Sequence, residues 1–258
     1  MSIWGCRNNT SQKVETPVAE NSFNQLVIYC ENSMVPYVLS LQNGFEKKHK
    51  CKLKIINDCS QNLIGVINFS KQGDLFLPDT RSAFSIFLKR SNVYITDSLL
   101  IGYNKLTLII PKGNPLDLKG DITSILSKPG LSIVFANPET SSLGFTTRQF
   151  LTTKGIYLNA LQNVVALSVD SRGLIKSVVN HQADITISWE SEYYRLKTTE
   201  AVESIPIDTN DLSDIYIGVL SCSKNPKLAN YFLNFVSSDE STASLKQFGI
   251  IKRKTPIF

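Results

Sequence analysis

Apolar positions in this chain alternate between short continuous runs and a helical repeat, and the alternation recurs from Val27 onward. Val27 to Cys30 reads as a strand. Met34, Val38, Leu41 and Phe45 then fall at helical spacing in a helix opened by Ser33 and running to about Lys50. Lys47, Lys48 and Lys50 close it at the favourable end of the dipole, and Pro36 is tolerated because it lies in the first turn. Leu53 to Ile56 is a second strand, and Ser60 opens a second helix whose buried face is Leu63, Val66 and Ile67. Asp74 to Leu77 is a short strand halted by Pro78, and Leu106 to Ile110 is an apolar strand ended by Pro111 to Pro115. The pattern restarts with a helix at about 121–128, a strand at 131–135, a helix at 144–154, a strand at 164–168, a helix at 171–181 and a strand at 184–188. A strand at 215–220 and helices at about 226–237 and 239–248 complete it.

Strands alternating with helices predict an α/β protein built on mostly parallel sheets flanked by helices. The two series join near residues 104–111 and 206–216, which predicts two lobes. One is 23–107 plus 209–258 and the other 108–208, with 1–22 a polar leader or tether. Ser33 and Ser60 sit where a strand gives way to a helix, so each can cap its helix at the carboxyl end of a parallel strand. Helix dipoles and free N–H groups converge at such ends and make an anion site without a positive side chain.

Composition narrows the class. Of 258 residues, 42% are hydrophobic and 19% charged, the range of a globular protein, and no apolar run approaches the roughly 20 residues of a membrane span. The formal net charge of +5 comes from scattered lysines, which reads as a solvated surface, and nucleic acid is excluded as a partner. Cys6, Cys30, Cys51, Cys59 and Cys222 form no C-x-x-C pair, and with His49 and His181 as the only imidazoles no metal site is expected. Nucleotide-loop, zincin and nucleophile-elbow motifs are absent, so neither an enzyme nor a cofactor is expected. Ile3-Trp4-Gly5-Cys6 is similar to the end of a bacterial lipoprotein signal, although the charged start and apolar core of such a signal are missing; lipidation at Cys6 and coincidence both stay open.

Several longer motifs, in order, carry a resemblance. They are the serine turn and Phe45-Glu46-Lys47-Lys48, Ser60-Gln61-Asn62-Leu63, Gly73-Asp74-Leu75-Phe76, Asn137-Pro138-Glu139 followed by Gly144, and Asp170-Ser171-Arg172-Gly173. Ala183-Asp184-Ile185, Ser223-Lys224-Asn225-Pro226 and Phe248-Gly249 follow. From about Val27 to Ile250 the chain resembles the periplasmic binding proteins of ABC importers, and most of all the molybdate-binding family. The resemblance implies a two-lobe Venus-flytrap fold that captures a small anion, a tetrahedral oxyanion such as molybdate or tungstate, between its lobes. It implies an ABC transporter permease as partner, a monomer, and a location in the periplasm or at the cell-envelope surface, lipid-anchored if Cys6 is modified. Carried over by position, Ser33 and Ser60 would donate hydroxyl and N–H groups, Leu143 and Ser171 backbone N–H groups, and Trp189 stands where the family has a tyrosine hydroxyl. A surface or periplasmic binding or sensor protein for a small organic phosphate or carboxylate is the alternative on the same scaffold.

Some residues keep two readings. Glu31 and Asp58 flank the strand ends, and either face the cleft, where they repel a dianion, or point outward into solvent. Cys30 and Cys59 end adjacent strands as a disulfide, as buried thiols, or as ligands for a soft species. Asp170 beside Ser171 and Arg172 reads either as part of a hydrolytic set or as a helix cap and a surface charge. Trp189, Tyr193 and Tyr194 either stack on a ligand or line a hinge or core.

Overall fold

The computed structural model describes residues 24–169, 171–198, 201–208 and 212–252, and the side chains of 171 and 172 are not among the parts described. Cys6, the rest of 1–22, and Asp170 lie outside the described residues.

In chain order, β1 (Asn24–Glu31) leads through a 3-10 turn (Asn32–Met34) into α1 (Val35–His49), followed by β2 (Cys51–Asp58), α2 (Ser60–Ser70), β3 (Leu75–Leu77), α3 (Arg81–Arg90) and β4 (Ile95–Asn104). The second series is β5 (Leu106–Pro111), α4 (Ile122–Leu126), β6 (Ile133–Ala136), α5 (Ser142–Thr153), α6 (Tyr157–Leu161), β7 (Val164–Ser168), α7 (Ser171–Val179), β8 (Ile185–Trp189), α8 (Glu190–Leu196) and β9 (Val202–Pro206). The chain then returns as β10 (Ser213–Leu220), α9 (Pro226–Val236), α10 (Asp239–Ser244) and a last 3-10 turn (Leu245–Phe248).

Two five-stranded sheets result, ordered β2-β1-β3-β10-β4 and β7-β6-β8-β5-β9. In the first, β1 runs parallel to β2 and β3, and β10 is antiparallel to β3 and β4. In the second, β6 is parallel to β7 and β8, and β5 is antiparallel to β8 and β9. Each sheet therefore has one reversed strand, β10 or β5, and is otherwise co-directional, the α/β architecture that the alternation predicts. Strand β4 passes to the second sheet through Lys105, and after β9 the chain is next in the first sheet at β10.

Helices cover both faces of each sheet. Tyr37, Val38, Leu41 and Phe45 of α1 pack with Ala229, Phe232 and Leu233 of α9 on one face of the first sheet, while Leu63, Ile64 and Ile67 of α2 pack with Phe84 and Phe87 of α3 on the other. Ile125, Leu143, Phe150 and Leu151 lie on the second sheet's main core, and Ile175 and Val178 of α7 cover its other face. Lys50 ends α1 in the left-handed conformation at φ 48°, with its N–H on the Glu46 carbonyl.

Three local expectations need correction. Ser33 lies inside the 3-10 turn and donates, while Glu31 is the residue whose side chain caps that turn. Cys59 occupies the N-cap position of α2, and the Ser60 side chain caps nothing. Val66 is exposed and Ile64 is buried in its place, because Ser60, Ile64 and Ile67 form the i, i+4, i+7 row that faces the sheet. The free thiols of Cys30 and Cys59 also settle the disulfide alternative: Cys30 is buried and Cys59 half-buried.

Candidate functional site

A small cavity lies where carboxyl ends of strands from the two sheets meet. The first sheet contributes Glu31 at the end of β1 and Ser33 just beyond it, Cys59 after β2, and Asp79 after β3. The second contributes Ser141, Ser142 and Leu143 at the start of α5, Val169 after β7, and Trp189 at the end of β8. The cavity measures about 10 Å³, room for about one water.

Its polar groups are organised around two carboxylates. The Ser33 N–H donates to Glu31 Oε2 at 2.7 Å, and the Ser33 hydroxyl donates to the same oxygen. The Ser142 hydroxyl donates to Asp79 Oδ1 at 2.6 Å, and Trp189 Nε1–H donates to Asp79 Oδ2 at 2.9 Å. Asp79 belongs to the first sheet and its two donors to the second, so this carboxylate joins the two halves inside the site. Gln61 Nε2 makes a further crossing to the Glu139 carbonyl at 3.0 Å.

Burial sets the protonation of this pair. Glu31 is 8% and Asp79 2% exposed. Loss of solvent pushes the Glu31 pKa well above the usual carboxylate range, and the Asp79 charge raises it further against the pull of the two Ser33 hydrogen bonds. Burial also raises Asp79, opposed by its bonds from Ser142 and Trp189. Glu192 on α8 adds negative charge toward each, while its own carboxylate is held by Arg195 at 2.6 Å. Burial raises the Cys30 and Cys59 thiols as well, so they are poor thiolates.

Helix starts supply the remaining donors. At α5 the Ser141 hydroxyl takes the Gly144 N–H and the Ser141 carbonyl takes the Phe145 N–H, which leaves the first-turn amides of Ser142 and Leu143 at the cavity. Gly144 is required there, since a Cβ would run into the carbonyl oxygens of Ala136 and Asn137. Ser60 opens α2 next to Cys59, is 3% exposed, and its hydroxyl has no hydrogen-bond partner among the described residues. A buried orphan hydroxyl calls for an absent partner, and a bound solute is one.

Of the residues singled out from the sequence, Ser33, Leu143 and Trp189 line this cavity; Ser60 does not, but is buried as the chain neighbour of Cys59, which does. Ser171 opens α7 just after Val169, and its side chain is outside the described residues. Glu31 takes the inward alternative. Asp58 takes the outward one, accepting the Cys59 N–H at 2.7 Å and the Asn62 amide at 3.1 Å on the surface. Tyr193 packs against the core face under α7, while Trp189 is buried at the cavity with its indole N–H engaged by Asp79. Asp79 and Ser142 had not been singled out; the signal for Asp79 was its place after a strand end, Leu77-Pro78-Asp79-Thr80, with Thr80 capping α3.

Neither histidine reaches the site: His49 stacks on Tyr231, and His181 lies beside Pro111 and Asn114. Among the described residues no group of three or more His, Cys, Asp and Glu could hold a metal ion, and no helix is long and apolar enough to cross a membrane. The walls offer a solute donors from both sheets and two acids, but at about 10 Å³ the space holds one water, so anything larger requires the two halves to part. A second, wider cavity of about 510 Å³ adjoins it across Trp189, between α3 and α5, with Arg81, Ser82, Phe145 and Gln149 in its walls.

The chain is 24% identical over 149 residues to the molybdate-binding protein ModA of Mycobacterium bovis, a match covering 58% of this chain and 54% of that protein. It thus spans about half the length of the curated relatives it matches first. The periplasmic molybdate-binding protein of Azotobacter vinelandii superposes with a TM-score of 0.73 at 14% identity, over 89% of this chain and 100% of that one. PEB3 of Campylobacter jejuni, solved with L-phospholactate bound, superposes at 0.72 with 18% identity, over 88% of this chain and 100% of that one. The profile of the bacterial extracellular solute-binding proteins matches residues 26–251, nearly all that the structure describes, and the chain belongs to that family.

Proposed function

We propose that this chain is the extracytoplasmic receptor of an ABC importer and captures a small anion of the tetrahedral oxyanion class between its two sheets, with molybdate and tungstate the first members to try. In this reading residues 23–107 with 209–258 form one lobe and 108–208 the other, 1–22 is a tether, and the partner is the permease. The observation that carries it is the convergence, at one cavity between the sheets, of strand ends and helix starts from each sheet, with Ser33, Ser142, Leu143 and Trp189 on its walls. Hydrogen bonds to a charged partner contribute about 1.5 to 3 kcal/mol each, so a handful offsets desolvation and leaves micromolar binding at about 8 kcal/mol.

A specific observation favours the second reading, a small organic phosphate or carboxylate: the 510 Å³ cavity beyond Trp189 offers the Phe145 ring to an organic portion, and Arg81, paired with Asp214 at 3.4 Å, to an acid group. The test is a thermal-shift screen of oxyanions and small organic phosphates and carboxylates on the purified protein. A solute at a hundredfold its Kd stabilises by about 2.7 kcal/mol, several degrees. Inorganic oxyanions alone should shift it under the first reading; organic anions alone would favour the second, and no shift with any anion would sink both.

A further inference from the structure

In the cavity, protein carboxylates take the donors that an anion would use. Glu31 accepts both the N–H and the hydroxyl of Ser33, and Asp79 accepts Ser142 and the Trp189 indole. An entering solute oxygen can use Ser33 only when the Glu31 carboxylate swings off it. That carboxylate then stands in the cavity as an acceptor beside the solute, in surroundings that solvent does not screen. It either takes a hydrogen from the solute or repels its charge.

We propose that Glu31 and Asp79 are specificity-determining residues that select solutes bearing hydrogen on oxygen, such as hydrogen phosphate or hydrogen arsenate, over fully deprotonated dianions such as sulfate and molybdate. The inference rests on the oxyanion-receptor reading above and reorders its members, placing protonated oxyanions ahead of molybdate and tungstate. A protonated oxyanion offers lone pairs to Ser33 and the α5 amides and an O–H to Glu31 or Asp79, so every polar group in the cavity is satisfied. A bare dianion satisfies the donors and, above the pH at which Glu31 and Asp79 have lost their protons, leaves two carboxylates facing its charge. The titratable groups that bear on Glu31 are Asp79 across the cavity, Glu192 from α8 with Arg195 on it, and the Cys30 and Cys59 thiols; Asp58 is turned to the surface. Protonating the acids removes the repulsion, so sulfate, which stays a dianion in mild acid, should bind better as pH falls.

The experiment is titration calorimetry with sodium phosphate, sodium sulfate and sodium molybdate on the wild type, Glu31→Gln and Asp79→Asn. Wild type at neutral pH should bind phosphate at least about tenfold tighter than sulfate or molybdate. Glu31→Gln should narrow that ratio at least about tenfold by improving the dianions, and Asp79→Asn should move it the same way. Sulfate affinity of the wild type should rise toward mild acid, a readout that needs no variant to fold. Molybdate or sulfate binding as tight as phosphate, flat with pH and indifferent to Glu31→Gln, would overturn the selector while leaving the receptor reading intact. Failure of every anion on all three proteins would take down the oxyanion receptor and the selector together. Sulfate binding that emerges only in the variants supports the selector.

Discussion

Replacing Glu31 by Gln should change how stability depends on pH while preserving the shape of the turn, because the Gln carbonyl can still accept from Ser33. In the unfolded chain a glutamate titrates near about pH 4.3. In the fold, burial first and the Asp79 charge second hold its pKa well above that. Between those two points the folded state carries a proton that the unfolded state has lost, so stability falls as pH rises and the loss is complete above the folded pKa. Each unit of separation is worth about 1.4 kcal/mol, and at this chain length about 1 kcal/mol moves Tm by roughly 2–4 °C. Gln does not titrate, so the variant should match the wild type near pH 4.5 and exceed its Tm by at least about 3 °C near pH 7.5. Melts followed by circular dichroism at half-unit steps would measure the difference. A constant offset across the whole range would mean that Glu31 ionises as a solvated acid, and the argument from burial would be wrong. Asp79 shares the cavity, so its Asn variant should add less than its separate effect when the two are combined.

Trp189→Phe keeps an aromatic ring but gives up the fused pyrrole and with it the 2.9 Å donor to Asp79; the lost bond should cost about 1.5 to 3 kcal/mol in urea denaturation above pH 7, where Asp79 is most ionised, and less in acid, on top of a pH-independent packing loss; a loss wholly independent of pH would mean that the bond contributes nothing. Gly144→Ala drives a Cβ into the Ala136 and Asn137 carbonyls, so the start of α5 must move off β6; about 1 to 3 kcal/mol of stability and most of the solute-induced thermal shift should go with it, and an unchanged shift would place the solute elsewhere.

Much of the scaffold was legible because it rests on local patterns. The apolar run Leu106 to Ile110, the 3.6-residue repeat of α1 and the Lys47-Lys48 ending each carry their own signal, and each element appears within a few residues of its expected place. Elements whose burial comes from distant partners were not. Strand β4 has exposed polar residues at Asp97 and Ser98 and is a strand because β10 pairs with it, across more than a hundred residues of chain. The site divides in the same way. Strand-to-helix turns mark where Ser33, Ser60 and Leu143 lie, since a turn is a local event. Whether Glu31 points in or out, and that Asp79 belongs with Trp189, depends on contacts made 110 positions apart. No spacing rule carries such a pairing.

The order of the first sheet has a consequence for the timing of folding. Strand β10 lies between β3 and β4, so two neighbours early in the chain are held apart until a strand from beyond residue 212 arrives to join them. The second sheet, by contrast, draws all of its strands from the uninterrupted stretch 106–206. A chain emerging from the ribosome can therefore assemble its later half first, while β4 waits unpaired and its apolar residues Ile101 and Leu99 stay open to solvent or to a chaperone. The leading half can therefore pair β1 with β2 and β3 on its own, but its sheet reaches full width only when β10 has followed.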